Sequence, residues 1–280
     1  LIFILILIQY SFHSLDAIFY DFWTRSDFMT SMDKKIVTIT IDEESDQFLG
    51  EKYPYTYATH VRLMKRLIED KPRAIGYLTE FYEPKTEIDL EDITELKKLV
   101  NKFKTDSNFF RIGVNSQNTE NLYEVPLVLR DLGASPAPVD TNKYAFAKDG
   151  VTRRAMLNIS GEDTLHLWMA NKYQELYGKD ILDSKSYSGS FYDLETDSTY
   201  ALFKYHSNPL KKNSHLTIPY HRVVVGNFPA GFFKNKIILI GPSYISNPND
   251  FVLTPYGKGV EKASKMAIHA QIMQALLKNE

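Results

Sequence analysis

The stretch from Lys34 to Pro84 constrains the fold more than any other. "KKIVTITID" (34–42) is rich in β-branched residues and ends on acidic side chains, as a buried strand running into a loop does. "YATHVRLMKRLIED" (57–70) sets Val61, Met64, Leu67 and Ile68 at helical spacing, and Pro72 closes it before "RAIGYLTEFYEP" (73–84) begins a second strand. Strand, helix and strand in this order form a βαβ unit. Its strands run parallel, its crossover is right-handed by default, and both faces of its sheet need cover.

The remaining pattern extends that unit. "ITELKKLVNKFK" (93–104) reads as a helix and "NFFRIGVNS" (108–116) as a strand. After the Pro- and Ala-rich "DLGASPAPVD" the chain becomes more strand-like through "YAFAKDGVTRRAMLNI" (144–159), in which Asp149-Gly150 is a hairpin signal. "HLWMANKYQELYGKD" (166–180) is a helix ending at Gly178. "TYALFKYHS" (199–207), "HLTIPYHRVV" (215–224) and "NKIILIGPS" (235–243) read as three further strands. "ASKMAIHAQIMQALLKNE" (263–280) closes the chain as an amphipathic helix, with Met266, Ala270, Met273 and Leu277 on one face. The 280 residues, 44% of them hydrophobic, suffice for one large core, and no repeat or long linker divides them. The expectation is an α/β fold in a single domain. Its central sheet is mixed but largely parallel, flanked by helices, and parallel in its first half.

"LIFILILI" (1–8) is shorter than the roughly 20 apolar residues that a span needs, so it reads as the end of a transmembrane or signal-anchor segment. Residues 9–30 then form a membrane-proximal helix whose apolar stripe is Phe12, Leu15, Ile18, Phe19, Phe22 and Trp23, and residues 31–280 form the domain proper. No Lys or Arg occurs from Gln9 to Thr24, which assigns this flank to the outside of the cytoplasm. If a second span follows Glu280, both ends of the domain approach one membrane face.

Lys and Arg total 33 against 35 Asp and Glu, a net charge of −2, so no basic field recommends nucleic acid as a partner. The chain has no cysteine, which excludes disulfides, thiolate metal sites and cysteine nucleophiles. No P-loop, dinucleotide fingerprint or His-Glu-x-x-His is present, and Gly241-Pro242-Ser243-Tyr244-Ile245 lacks the second glycine of a hydrolase elbow. "IDEESD" has Glu44 where an aspartyl-phosphate hydrolase needs aspartate, which leaves a metal-dependent phosphohydrolase as a distant alternative. His206, His215 and His221 fit no compact zinc spacing and read as structural, so no metal and no cofactor is expected. His60 falls on the polar side of its helix. His269 lies on the terminal helix, where protonation near pH 6.5 could alter packing.

In parallel sheets, ligands bind beyond the carboxyl ends of the strands, and three candidate strands end there on polar residues. These ends are Asp42 with Glu43, Glu44 and Asp46; Thr79 with Glu80; and Gly241 with Ser243, followed by Asp250 and Thr254. Converging carboxylates bind a cation or an amine, or keep a proton with a raised pKa; the blander alternative is that Asp42 caps the next segment and Asp250 anchors its own loop. Tyr53, Tyr55, Tyr57, Tyr77 and Tyr82 crowd the same region. The candidate ligand-binding residues are therefore Asp42, Glu80, Tyr82, Ser243, Asp250 and Thr254.

"VTITIDEESDQFLGEKYPYTYATHVRLMKRL" (37–67), with Asp42, Glu43, Gly50, Tyr53 and Pro54, resembles the opening of a CHASE2 domain. "AIGYLTEFYEP" is similar to the second strand of that family, although Thr79 and Glu80 stand where it usually has aspartate. "DGVTRR" (149–154) resembles its Asp-Gly-x-x-Arg turn. The stretch from Ile218 to Leu277 resembles its C-terminal half, including Gly241, Asp250, Thr254, Pro255, Gly259, His269 and Ala270. The resemblance implies an extracytoplasmic sensor, in the periplasm of a bacterium and held at the inner membrane through its N-terminal helix. It implies no catalysis in this chain, and control of a cytoplasmic nucleotide cyclase, diguanylate cyclase or kinase. The expected partners are a small molecule or a periplasmic protein and, as a homodimer, a second copy. A scaffold that binds a protein or envelope polymer is the alternative.

Overall fold

The computed structural model describes residues 13–26, 31–105, 107–114, 125–141, 146–257 and 260–280. Its first element is helix α1 (His13–Ser26), followed by β1 (Ile36–Ile41), a short helix α2 (Glu43–Leu49), α3 (Tyr57–Glu69) and β2 (Ala74–Tyr77). Next come α4 (Glu87–Thr105), β3 (Phe109–Val114), β4 (Ala134–Pro136), β5 (Arg154–Ile159), β6 (Glu162–Asp163) and α5 (Leu165–Leu176). The rest comprises β7 (Ser190–Asp193), β8 (Ser198–Leu202), β9 (Leu216–Pro219), α6 (Tyr220–Val224), β10 (Ile237–Pro242), β11 (Phe251–Leu253), β12 (Lys262–Ser264) and α7 (Lys265–Lys278).

Six strands form one sheet in the order β4-β3-β2-β10-β1-β9, and every neighbouring pair is parallel. β10 lies between β1 and β2, pairing Ile36 with Ile237 on one side and Ala74 with Ile237 on the other. Alternation along the strands feeds two cores. Val37, Ile39, Ile41, Ile75, Tyr77, Ile238 and Ile240 meet α3 and α4 on one face; Ile36, Ala74, Ile237 and Leu239 meet α5 and α7 on the other. The antiparallel strands separate into two sheets of their own, one in the order β6-β5-β8-β7 and one of β11 with β12.

Several local expectations change in the fold. Asp149-Gly150 does not turn a hairpin: Asp149 accepts a hydrogen bond from the Val151 N–H at 3.1 Å and an ion pair from Arg153 at 2.7 Å. The two-residue hairpin turn is Ser160-Gly161, both at positive φ (48° and 85°), between the paired residues Ile159 and Glu162. "HRVV" is helical rather than extended: β9 ends at Pro219, whose extended backbone is the N-cap of α6. His60 sits in the core instead of on a polar face, with Nδ1 2.8 Å from the Tyr77 hydroxyl and 2.9 Å from that of Tyr220. Its burial lowers its pKa to about 3. Gly178 ends α5 as expected, at φ 62°, with the Lys179 N–H donating to Gln174 O.

The N-terminal helix docks by its less apolar side. Ala17 is buried, Tyr20 donates to the Phe203 carbonyl, Asp21 pairs with Arg153, and Tyr256 donates to the Thr24 carbonyl at 3.0 Å. Leu15, Ile18, Phe19, Phe22 and Trp23 stay exposed along the other side. Phe12 and the expected end of a span at 1–8 lie outside the described residues. No described helix is long and apolar enough to cross a membrane.

Candidate functional site

The sheet order creates one point at which loops diverge. β2 leads to α4 on the face of Tyr77, whereas β10 leads through the β11–β12 hairpin to α7 on the face of Leu239. Neighbouring strands whose connections leave toward opposite faces open a crevice at their carboxyl ends. Such a crevice is present there, with a volume of about 310 Å³. Its apolar wall includes Leu78, Val114, Val125, Ala137 and Met266; its polar wall is Tyr53, Glu80, Asn247, Asn249, Asp250, Lys265 and His269.

Each polar group has a structural reason for its place. Tyr53 accepts hydrogen bonds from the Glu80 N–H at 2.7 Å and the Thr79 hydroxyl at 3.2 Å, which fixes the turn after β2. Burial pushes its pKa up to about 12, so it stays a neutral donor. Asp250 is 8% exposed and accepts from the Tyr244 N–H at 2.8 Å and from Asn247 Nδ2 at 2.9 Å. Burial, and to a lesser degree the Glu43 charge, raises its pKa, because the Tyr244 hydrogen bond and the Lys265 charge only partly offset the loss of water. Ser264 caps α7 by accepting from the Met266 N–H at 3.2 Å, so the positive end of the helix faces the crevice with Lys265 in its first turn. His269, one turn later, is buried; its Nδ1 lies 2.8 Å from Nε2 of His166 on α5. Burial, and after it His166 and Lys265, depress the pKa of His269 well below the imidazole range, while burial lowers that of His166 to about 4.

Gly241 allows α7 to come this close. A Cβ there would lie 2.7 Å from Met266 Sδ and 2.9 Å from the Leu78 carbonyl oxygen, so a side chain on β10 would displace the Met266 side chain and crowd the backbone after β2.

Of the six residues picked from sequence, Glu80 and Asp250 meet in the crevice wall and the other four do not line it. Asp42 caps α2 through the Ser45 N–H at 2.9 Å. Ser243 bonds Ser264 at 2.8 Å across the base of the β11–β12 hairpin, and Tyr82 donates to Asp89 at 2.7 Å while packing on Tyr57. Thr254 is buried, and its hydroxyl has no hydrogen-bond partner among the described residues. Asp250 does anchor its own loop while it also faces the crevice. Lys265 and Met266 were not picked from the sequence, although a serine just before an apolar-periodic run marks a helix start aimed at the strand ends. Among the described residues, no group of three His, Asp or Glu is arranged to hold a metal ion.

The Asp149-Gly-x-x-Arg153 turn serves another purpose. Arg153, 2% exposed, donates to Asp149 at 2.7–2.8 Å and to Asp21 of α1 at 2.7–2.9 Å. The turn is thus a clamp on the N-terminal helix.

The family model described as the CHASE2 domain matches residues 1–280, the whole chain. No curated protein and no solved structure matches it.

Proposed function

The chain belongs to the CHASE2 family, which consists of extracytoplasmic sensor domains, and from that premise we propose that it senses a small molecule held in the strand-end crevice and answers by moving α7. One observation carries this reading. Lys265, Met266 and His269 of α7 form part of the crevice wall, while the same rigid helix ends at Lys278, beside the cavity that Asn279 and Glu280 share with Tyr20, Trp23 and Thr24 of α1. A ligand that prefers one position of the first turn therefore biases the geometry between the terminal helices by its differential affinity. In this reading α1 leads to the membrane with its exposed apolar stripe, and α7 feeds the segment that controls a cytoplasmic cyclase or kinase in a homodimer. The domain itself performs no catalysis.

The test is a thermal-shift screen with cations, nucleotides, free amino acids and sugars, on the wild type and on Asn249→Trp, which places a large ring at an exposed position of the crevice rim. A compound at 100 times its dissociation constant stabilises the wild type by about 2.7 kcal/mol, and Asn249→Trp is expected to abolish the shift. No shift from any compound, or a shift that Asn249→Trp leaves intact, overturns the crevice as the input site.

A further inference from the structure

Helix α1 meets the body of the domain with its polar side and leaves its apolar side bare. Ala17, Tyr20 and Asp21 face the body, where Arg153 grips Asp21, Tyr20 donates to the Phe203 carbonyl and Tyr256 donates to that of Thr24. Leu15, Ile18, Phe19, Phe22 and Trp23 point away from it and are 48–69% exposed. Their spacing of i, i+3, i+4, i+7 and i+8 makes one continuous stripe along the helix, the pattern by which a helix packs on a neighbour. Because these contacts fix the other side, the stripe is held outward and does not turn in to bury itself.

Size and charge together select what covers it. At that exposure two Phe, one Trp, one Ile and one Leu offer on the order of 600 Å² of apolar surface, the upper end of what a monomer leaves bare. Two copies of the stripe laid on each other bury about 1,200 Å², which reaches the range of stable specific interfaces. Trp23 also lines a cavity of about 660 Å³ with Tyr20, Tyr187, Leu202 and Tyr205, so the apolar surface continues past the helix. A lipid surface fits less well. Helices that lie on membranes carry Lys and Arg beside the apolar face to meet anionic headgroups. By contrast, α1 has Asp16, Asp21 and a single Arg25, which Asp21 holds at 3.9 Å.

Resting on the homodimer of the proposed reading and not on its crevice, we propose that the α1 stripe is the surface on which a second copy of this chain docks. A two-fold axis alongside the two helices brings each residue of the seam to its own counterpart, with Leu15 and Phe22 at the centre of the stripe. The absence of cysteine from the chain makes a clean test. Leu15→Cys and Phe22→Cys, each the sole cysteine, are expected to give disulfide-linked dimers on mild oxidation, because facing seam positions bring the two Cα atoms within about 7 Å. Glu91→Cys, at an exposed position of α4, is expected to give none. In sedimentation equilibrium the wild type is expected to be a dimer, and Phe19→Ser combined with Phe22→Ser to weaken it at least about a hundredfold. Both side chains are exposed, so the double variant keeps the fold, which its circular dichroism checks. A dimer that the double variant leaves intact, or cross-linking from Glu91→Cys equal to that from Phe22→Cys, overturns the α1 surface and leaves the homodimer standing. A monomeric wild type overturns both; its retention by phosphatidylglycerol vesicles, lost in the double variant, makes lipid the occupant instead. No outcome touches the crevice, whose ligand the thermal-shift screen tests.

Discussion

Arg153 and His269 are both basic side chains buried in this fold, and the fold treats them in opposite ways. Arg153, in the joint between α1 and the body, keeps its charge: burial works against the guanidinium, but hydrogen bonds to Asp21 and Asp149 outweigh it and raise its pKa. His269, in the crevice wall, faces His166 and has Lys265 nearby, so burial wins and the ring is neutral. Burial alone removes a charge, whereas burial with two carboxylates fixes one. The joint is thereby a closed electrostatic unit, while the crevice wall beside His269 includes Glu80, Asp250 and Lys265.

The largest effect expected from breaking this contrast is at the joint. Arg153→Ala leaves Asp21, whose side chain is only 14% exposed, with the more distant Arg25 at 3.9 Å, and should cost about 3 kcal/mol in urea unfolding. It should also make the chain between α1 and β1 sensitive to protease. A loss below about 1 kcal/mol would show that the pair behaves as a surface contact and that the clamp does not hold α1.

On the crevice side, Gly241→Ala should cost about 1–3 kcal/mol through overpacking against Met266 and the Leu78 carbonyl. Adding Met266→Ala should restore only part of the thermal stability, since the backbone oxygen remains. Full restoration would mean that the α7 side chain alone required the glycine.

The smallest effect per group and per pH unit is that of pH, and it separates the two residues directly. His60 and His166 have folded pKa values of about 3 and about 4, and that of His269 is also depressed, so below about 6.5 the unfolded chain binds protons that the folded chain refuses. Stability should therefore be full above about pH 7 and fall as pH drops toward 4, by up to about 1.4 kcal/mol per unit for each imidazole. Asp250, raised, acts in the opposite sense: its contribution is lost as pH rises through its folded pKa. Urea midpoints at pH 7, 6 and 5 measure the net slope, and His60→Gln should reduce it by one proton. Arg153 contributes no slope in this range. A flat wild-type profile would show that the imidazoles are not buried neutral.

Periodicity made the framework legible. The β-branched run at 34–42, the helical spacing of Val61, Met64 and Leu67, and the Gly178 stop each form the expected element, because each depends on neighbours in sequence. The expectation for α1 named its apolar stripe and not the side that docks. Spacing identifies an apolar stripe, but Arg153, 132 residues away from Asp21, decides which side docks. His60 was misassigned for a similar reason, since its partners Tyr77 and Tyr220 come from β2 and α6.

The same division holds at the site. By itself the sequence determined a largely parallel α/β sheet, its strand ends, and the polar loops that carry Glu80 and Asp250, because these follow from local pattern and the handedness of crossovers. Only the tertiary structure decided which ends adjoin. Inserting β10 between β1 and β2 opened the crevice between β2 and β10 and left Asp42 as a helix cap. It also brought Lys265 and Glu80, 185 residues apart, to the lining of one crevice, a proximity that no local pattern encodes.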